Sequence, residues 1–146
     1  MRLALAILFA LLCGNSFALD STNKTSLRFE AVDVLLDSEA KPFAAYQLEF
    51  AVTNSAAKIV GIEGGEHAAF RGAPLYDPKA MQHERVVIAA FSTDKQLPSG
   101  KTRVATIHLQ VSGDAEPKIE LRLQVIADAD GKKISAKTSF EMRAKK

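Results

Sequence analysis

The sequence predicts an all-β fold, an antiparallel β-sandwich, over residues 27–143. Apolar residues alternate with polar or small ones in several short runs, and this period of two is typical of strands with one buried face. Clusters of Gly, Pro, Asp, Asn and Ser separate the runs. Because no run has the 3.6-residue period of a helix of ordinary length, each strand is expected to bury its apolar face against a second sheet.

The central strand covers residues 46–52, and a second strand with a similar apolar composition covers residues 85–92. The apolar face of the central strand consists of Tyr46, Leu48, Phe50 and Val52, and the opposite face carries Gln47, Glu49, Ala51 and Thr53. A turn at residues 54–55 leads to a short strand at 58–62, which Gly64 and Gly65 end. Residues 86–91 are apolar at both parities, which predicts a strand covered on both faces.

The remaining runs complete a set of about seven strands. In residues 27–37 the apolar parity changes near residues 30–31, which predicts a bulge or a strand that changes sheets. In residues 101–112 the pattern places Ala105, Ile107, Leu109 and Val111 inward, and Val104, Thr106, His108 and Gln110 outward. The last two strands cover 119–125, with Ile119, Leu121, Leu123 and Val125 on one face, and 134–142.

The first 18 residues have the features of a secretory signal: a basic start, an apolar run at 3–12 and small residues before the cleavage site. We predict cleavage between Ala18 and Leu19, a flexible lead-in at 19–26, and a secreted, periplasmic or extracellular protein. The alternative is an uncleaved anchor, but the apolar run is shorter than the roughly 20 residues that span a bilayer. The processed chain is expected to have no membrane span.

The charges are balanced, with 19 Lys and Arg against 17 Asp and Glu and no basic stripe, so binding to nucleic acid is not expected. Cys13 is the only cysteine and lies in the predicted signal. The processed protein therefore has no disulfide and no thiol for catalysis or metal binding. The basic C-terminal residues Arg143, Lys145 and Lys146 are expected at a frayed, solvated end.

Several segments resemble a known family: AAYQLEFAV followed by KIVGIEGG, a proline-bounded loop, RVVIAAFS, and LPSGKTRVATIHLQV. In this order they are similar to the cohesin domain and, more broadly, to the carbohydrate-binding sandwiches that share its fold. The resemblance covers residues 27–128. It implies a nine-stranded jelly-roll sandwich that binds a partner on a sheet face.

No pattern of residues predicts a metal, a cofactor or a catalytic site. The three histidines, His67, His83 and His108, have no metal-binding spacing. Residues 128–131 (DADG) resemble the first half of a calcium loop, but two lysines follow and Ser139 stands where the bidentate Glu would be, so a hairpin turn is expected. A carboxylate pair for glycoside hydrolysis could come only from Glu63, Glu66 and Asp77, which no motif marks.

The irregular loop at residues 66–82 is the predicted binding site, with one helical turn at 66–70. Its candidate binding residues are Phe70, Arg71, Tyr76 and Asp77, whose types often anchor interfaces. The alternative is that Phe70 and Tyr76 close one end of the core. Among the aromatic residues, Phe29, Phe50, Phe91 and Phe140 are expected in the core, and Phe43, Phe70 and Tyr76 could be exposed.

We therefore expect a secreted, non-catalytic module that mediates extracellular protein–protein assembly. The first alternative is a carbohydrate-binding module, which an exposed line of Phe43, Phe70 and Tyr76 would favour. The second is a secreted hydrolase with two facing carboxylates in a cleft. A flat sheet face of mixed polarity would favour protein binding, and it would carry either Gln47, Glu49 and Thr53 or Thr106, His108 and Gln110.

Overall fold

The computed structural model describes residues 26–143, which form two antiparallel sheets. The strands are β1 (Leu27–Asp37), β2 (Ala45–Val52), β3 (Ala57–Gly64), β4 (Arg85–Phe91), β5 (Lys101–Ser112), β6 (Ile119–Ala127) and β7 (Lys137–Met142). Sheet A has the order β3-β5-β1-β7, and sheet B has the order β4-β2-β6. The predicted signal, its cleavage site and nearly all of the lead-in lie outside the described residues.

The all-β, two-sheet prediction is confirmed. Residues 26–143 contain the seven strands that the turn spacing predicted, whereas the family resemblance implied nine. The loop between β3 and β4 contains two short 3₁₀ turns, Ala68–Phe70 and Pro78–Ala80, of which the first lies where a helical turn was predicted. Within the described residues, no helix has the length and apolar character needed to cross a membrane.

The core lies between the two sheets and is built from the inward residues of each. Its largest fully buried side chains are Phe43, Phe50, Leu36, Leu48, Ile59, Ile88, Ile107 and Leu109. The inward positions predicted on β5, from Ala105 to Val111, are confirmed. Tyr46 is also buried, and its hydroxyl donates a hydrogen bond to the carbonyl of Val104 (3.1 Å), while burial raises the pKa of the phenol above its ordinary range.

The burial of the aromatic residues is nearly the reverse of the prediction. Phe43 and Phe70, expected to be exposed, are buried and stack with ring centroids 5.4 Å apart. Phe43 precedes β2 and Phe70 ends a 3₁₀ turn, so each ring enters the core from a loop at the end of the sandwich. Phe29, Phe91 and Phe140, expected in the core, are 69%, 71% and 39% exposed, whereas Phe50 is buried as expected.

Two β-bulges explain why some other residues face the side of the sheet opposite to the one predicted. The β1–β5 ladder shifts register between Val34 and Leu35, where β5 has Val104 as an extra residue, so Val104 is buried instead of outward. The predicted irregularity in β1 therefore exists, but it lies about four residues later than expected. In β6 the ladder with β2 skips Gln124, which turns Val125 away from the core and leaves it 37% exposed.

β4 has one buried and one exposed face, which contradicts the prediction that it is covered on both faces. Val86 and Ile88 are buried against sheet A, but Val87 and Phe91 face outward and are exposed. Sheet B ends at β4, and no layer formed by residues 26–143 covers its outer face. Both faces of this strand are apolar, even though only one of them packs in the core.

Candidate functional site

The four candidate residues of the loop at 66–82 fall into two groups. Phe70 is buried and Tyr76 is half-buried against the core, as the alternative prediction proposed. Arg71 and Asp77 are exposed; Arg71 is the C-cap of the first 3₁₀ turn, and Asp77 is the N-cap of the second. The carboxylate of Asp77 accepts a hydrogen bond from the backbone N–H of Lys79 (2.9 Å), which caps the second turn. The loop therefore does not present the four side chains as one surface.

An exposed apolar surface lies beside this loop. Leu75 forms an antiparallel bridge with Ala89 of β4, through N–H to carbonyl contacts of 2.7 and 2.9 Å in the two directions. Leu75 is 67% exposed, Phe91 is 71% exposed and Val87 is 39% exposed. We call Leu75, Val87 and Phe91 the β4 patch. Large apolar side chains grouped on an exposed edge are typical of interaction sites.

A shallow groove of about 210 Å³ opens between the loop and the end of β4. It is lined by Ala69, Phe70, Gly72, Ala73, Pro74, Leu75, Ala89, Ala90 and Phe91. A cavity of about 150 Å³ lined by apolar groups accepts benzene. The groove is therefore large enough to receive one Leu or Phe side chain from another molecule.

Polar side chains adjoin the patch on the outer face of sheet B. Arg85 donates to the carboxylate of Glu49 (2.5 Å), and the amide of Gln47 donates to that of Gln124 (2.5 Å). In the register of the sheet, Gln47 lies beside Ala89, and Glu49 lies beside Val87. This arrangement matches the expected face of mixed polarity, and an apolar centre with a polar rim is the usual anatomy of a protein interface.

The edge of β4 also offers unpaired backbone groups. Ala89 directs its N–H and carbonyl away from β2, toward Leu75. Because these directions alternate along an antiparallel strand, Val87 and Phe91 direct their own N–H and carbonyl groups to the same open side. Leu75 occupies the middle of the edge, and on either side of it no strand from residues 26–143 pairs with β4.

The outer face of sheet A carries a polar network centred on Asp33 of β1. The carboxylate accepts hydrogen bonds from Arg143 Nη2 (2.6 Å) and from the hydroxyl of Thr106 (2.7 Å). Arg103 donates to the same hydroxyl oxygen (3.0 Å). Burial acts to raise the pKa of Asp33, but these hydrogen bonds and the charges of Arg143 and Arg103 outweigh it and hold the pKa below its ordinary value.

This network corrects the prediction that Arg143 lies at a frayed end. Its guanidinium contacts Asp33 and Thr106, and its backbone N–H donates to the carbonyl of Ala31 (2.8 Å). The outward positions of Thr106 and His108 are as predicted, although the two arginines cover Thr106 completely. The imidazole of His108 lies 3.0 Å from the carboxylate of Glu63, an ion pair when His108 is protonated.

Replacing Asp33 with asparagine is expected to lower the free energy of unfolding at neutral pH by about 1–2 kcal/mol, because two donors lose a charged acceptor. Since the folded-state pKa of Asp33 is depressed, its stabilisation is present above the unfolded-state pKa of about 4 and is lost as the pH falls through the folded-state value. Urea unfolding at a series of pH values should show the two proteins converging in acid. Asp94→Asn, at an exposed turn, is the control, and a difference that persists undiminished in acid would contradict the account.

The other residues considered for metal binding or catalysis make separate local hydrogen bonds. His67 accepts a hydrogen bond from the N–H of Ala69 (3.2 Å), and Glu66 accepts one from the N–H of Arg103 (2.8 Å). Asp128 accepts the N–H groups of Asp130 and Lys132 (3.0 and 2.9 Å) within the expected turn. Across residues 26–143, no three His, Cys, Asp or Glu residues come together in a way that could hold a metal ion.

Comparisons of the chain with protein-family models, with curated proteins and with solved structures find no match. The resemblance to the cohesin domain therefore stays a prediction. The two-sheet fold rests on the structure described above.

The sequence alone does not predict the surface roles of Leu75, Val87, Asp33 and Arg103. For the β4 patch a signal was present: residues 86–91 are apolar at both parities, which fits an edge strand with an exposed apolar face as well as a buried strand. For Asp33 the signal was absent, because Arg143 is 110 residues away along the chain. No local pattern links residues at that distance.

Proposed function

We propose that this protein is a secreted, non-catalytic binding module that assembles with another extracellular protein through the β4 patch. The observation that carries the proposal is the grouping of Leu75, Val87 and Phe91 beside a groove that fits one apolar side chain. Apolar side chains of this kind stabilise an interface because they lose contact with water when a partner covers them. The jelly-roll, cohesin-like arrangement implied by the resemblance is part of the same proposal.

The arrangement of the exposed rings favours a protein partner over a polysaccharide. Sugar-binding faces usually present several rings in one plane, because each ring stacks on a sugar. Here Phe29 lies on the outer face of sheet A and Phe91 on that of sheet B, so the two rings do not form one platform. Phe43 and Phe70 stack inside the core.

The proposal is tested by capture from the secreted and envelope fractions of the source organism. The purified protein is immobilised and exposed to these fractions with and without calcium, and to insoluble polysaccharides in parallel. We expect it to retain a specific protein, and Phe91→Ser to lose most of the retention. Phe29→Ser is the matched control, because Phe29 is equally exposed but lies on the other sheet.

The outcomes separate the alternatives. Retention only with calcium would indicate a dockerin-type partner, and retention without it would indicate another kind of assembly. Retention on polysaccharide alone would replace the proposal with a carbohydrate-binding module. A protein retained equally by Phe91→Ser and by the wild type would show that binding does not use the β4 patch.

A further inference from the structure

We propose that two copies of this chain associate through β6, in an antiparallel pairing centred on Leu121. β6 is the edge of sheet B opposite β4, and no strand among residues 26–143 pairs with its outer side over residues 119–123. The inference is independent of the proposed function, because β6 contributes none of the residues of the β4 patch.

The directions of the backbone groups make β6 suitable for such a pairing. The N–H of Thr53 donates to the carbonyl of Lys118 (2.8 Å), so Lys118 faces β2. Since the directions alternate along the strand, Ile119, Leu121 and Leu123 direct their N–H and carbonyl groups to the open side. A run of unpaired groups of this length is a template for another strand.

The charges of β6 are complementary to a second copy of the same strand. When Leu121 pairs with its own copy, Glu120 lies opposite Arg122 of the second chain, and Arg122 lies opposite Glu120. The two residues are exposed and share the outer face of the sheet. Residues directly opposite on neighbouring strands interact, and opposite charges stabilise the pair. The strand is therefore complementary to itself, as a two-fold symmetric interface requires.

Each neighbouring register carries a penalty that the register centred on Leu121 avoids. A pairing centred on residue 120 places Glu120 opposite its own copy, and a pairing centred on residue 122 does the same with Arg122. A pairing centred on Ile119 also sets opposite charges against each other, Glu120 against Lys118, but it brings Pro117, which has no N–H to donate, opposite Leu121. Like charges opposite each other are destabilising and a proline removes a ladder hydrogen bond, so the register centred on Leu121 is favoured.

The apolar side of β6 gains contacts in the same pairing. A groove of about 400 Å³ separates β6 from β7 and is lined by Ile119, Leu121 and Phe140, among other residues. Phe140 is 39% exposed there. The pairing places Leu121 and Leu123 of the second chain on the side of the sheet that faces this groove. Their apolar side chains would lose contact with water together with Phe140.

Charge exchange tests the pairing with little effect on the fold, because both side chains are exposed. In sedimentation equilibrium we expect the purified wild type to form dimers. Glu120→Arg and Arg122→Glu, each alone, should raise the dissociation constant about tenfold or more, because two opposite-charge pairs become like-charge pairs. An equimolar mixture of the two variants should dimerise again as a heterodimer, since every facing pair is then Arg with Glu.

Lys58→Glu is the control, because it changes the net charge by the same amount as Arg122→Glu but lies on β3 of the other sheet. It should dimerise like the wild type. Three results would each overturn the proposal: a wild type that stays monomeric up to about 1 mM, single variants with the dissociation constant of the wild type, or a mixture that fails to restore the dimer. None of these three results would change the outcome that we expect for the capture experiment with Phe91→Ser.

Discussion

Replacing Phe70 with alanine is expected to lower the free energy of unfolding by about 3–5 kcal/mol. The ring is 3% exposed, stacks on Phe43 at 5.4 Å and meets the edge of Tyr46 at 5.4 Å. Truncation removes the transfer energy of the ring and leaves a cavity beneath the loop at residues 66–82. Urea unfolding followed by circular dichroism, with the slope compared between the proteins, measures the change.

Phe91→Ala is the matched control for this experiment. Phe91 is 71% exposed, so its truncation is expected to change the free energy of unfolding by no more than about 0.5 kcal/mol. Simple alternation in the sequence predicts the opposite order, with Phe91 in the core and Phe70 exposed. Equal costs for the two substitutions, or a larger cost for Phe91→Ala, would contradict the burial of Phe70 and the exposure of Phe91.

The second large effect is expected for Gly64→Ala, at the end of β3. A Cβ atom at this position would lie 2.1 Å from the carbonyl oxygen of Arg71 and 2.4 Å from that of Gly72. Both contacts are with backbone, which cannot move aside as a flexible side chain can. We expect a loss of about 3 kcal/mol in the free energy of unfolding, because the start of the loop must shift away from the sheet.

Gly72→Ala, in the same loop, is the control. No atom lies within 4 Å of a Cβ at Gly72, and its backbone does not have a positive φ. The substitution is expected to be neutral or to stabilise the protein by up to about 1 kcal/mol, because alanine restricts the unfolded chain. Thermal unfolding of the two variants side by side measures the difference. A Gly64→Ala protein as stable as Gly72→Ala would show that the loop does not pack closely against Gly64.

The strands could be predicted from the sequence because each depends on local alternation and on turn residues beside it. β2 is an example, since Tyr46, Leu48 and Phe50 have the predicted parity and are all buried. The alternation predicted the wrong face of the sheet where a bulge added one residue, at Val104 and at Gln124. A bulge leaves little trace in a single sequence, but it reverses the side of every residue beyond it.

The surface features were harder to predict, because they depend on the order of strands within the sheets. Phe91 is exposed because no layer formed by residues 26–143 covers the outer face of sheet B, which the pattern of β4 itself does not show. The rings of Phe43 and Phe70 meet because two loops come to the same end of the sandwich. The contact of Arg143 with Asp33 similarly requires β7 to pair with β1. These are long-range consequences of topology.

The two proposals are compatible in geometry. Pairing through β6 would join two copies of sheet B into one continuous sheet of six strands, with the outer faces on the same side. The two β4 patches would then lie at opposite ends of that face. If both proposals hold, a dimer could bind two partner molecules, or two sites on one partner, with a gain in avidity.

The most direct test of the binding proposal is hydrogen exchange of the backbone amides of β4, with and without the protein that the wild type captures. The amides of Val87 and Phe91 face the open edge and are expected to exchange rapidly in the free protein. We predict that the partner slows both, while the amides of β3 on the other sheet are unchanged. Slower exchange in β3, with Val87 and Phe91 unaffected, would contradict the proposal and indicate that the partner binds sheet A.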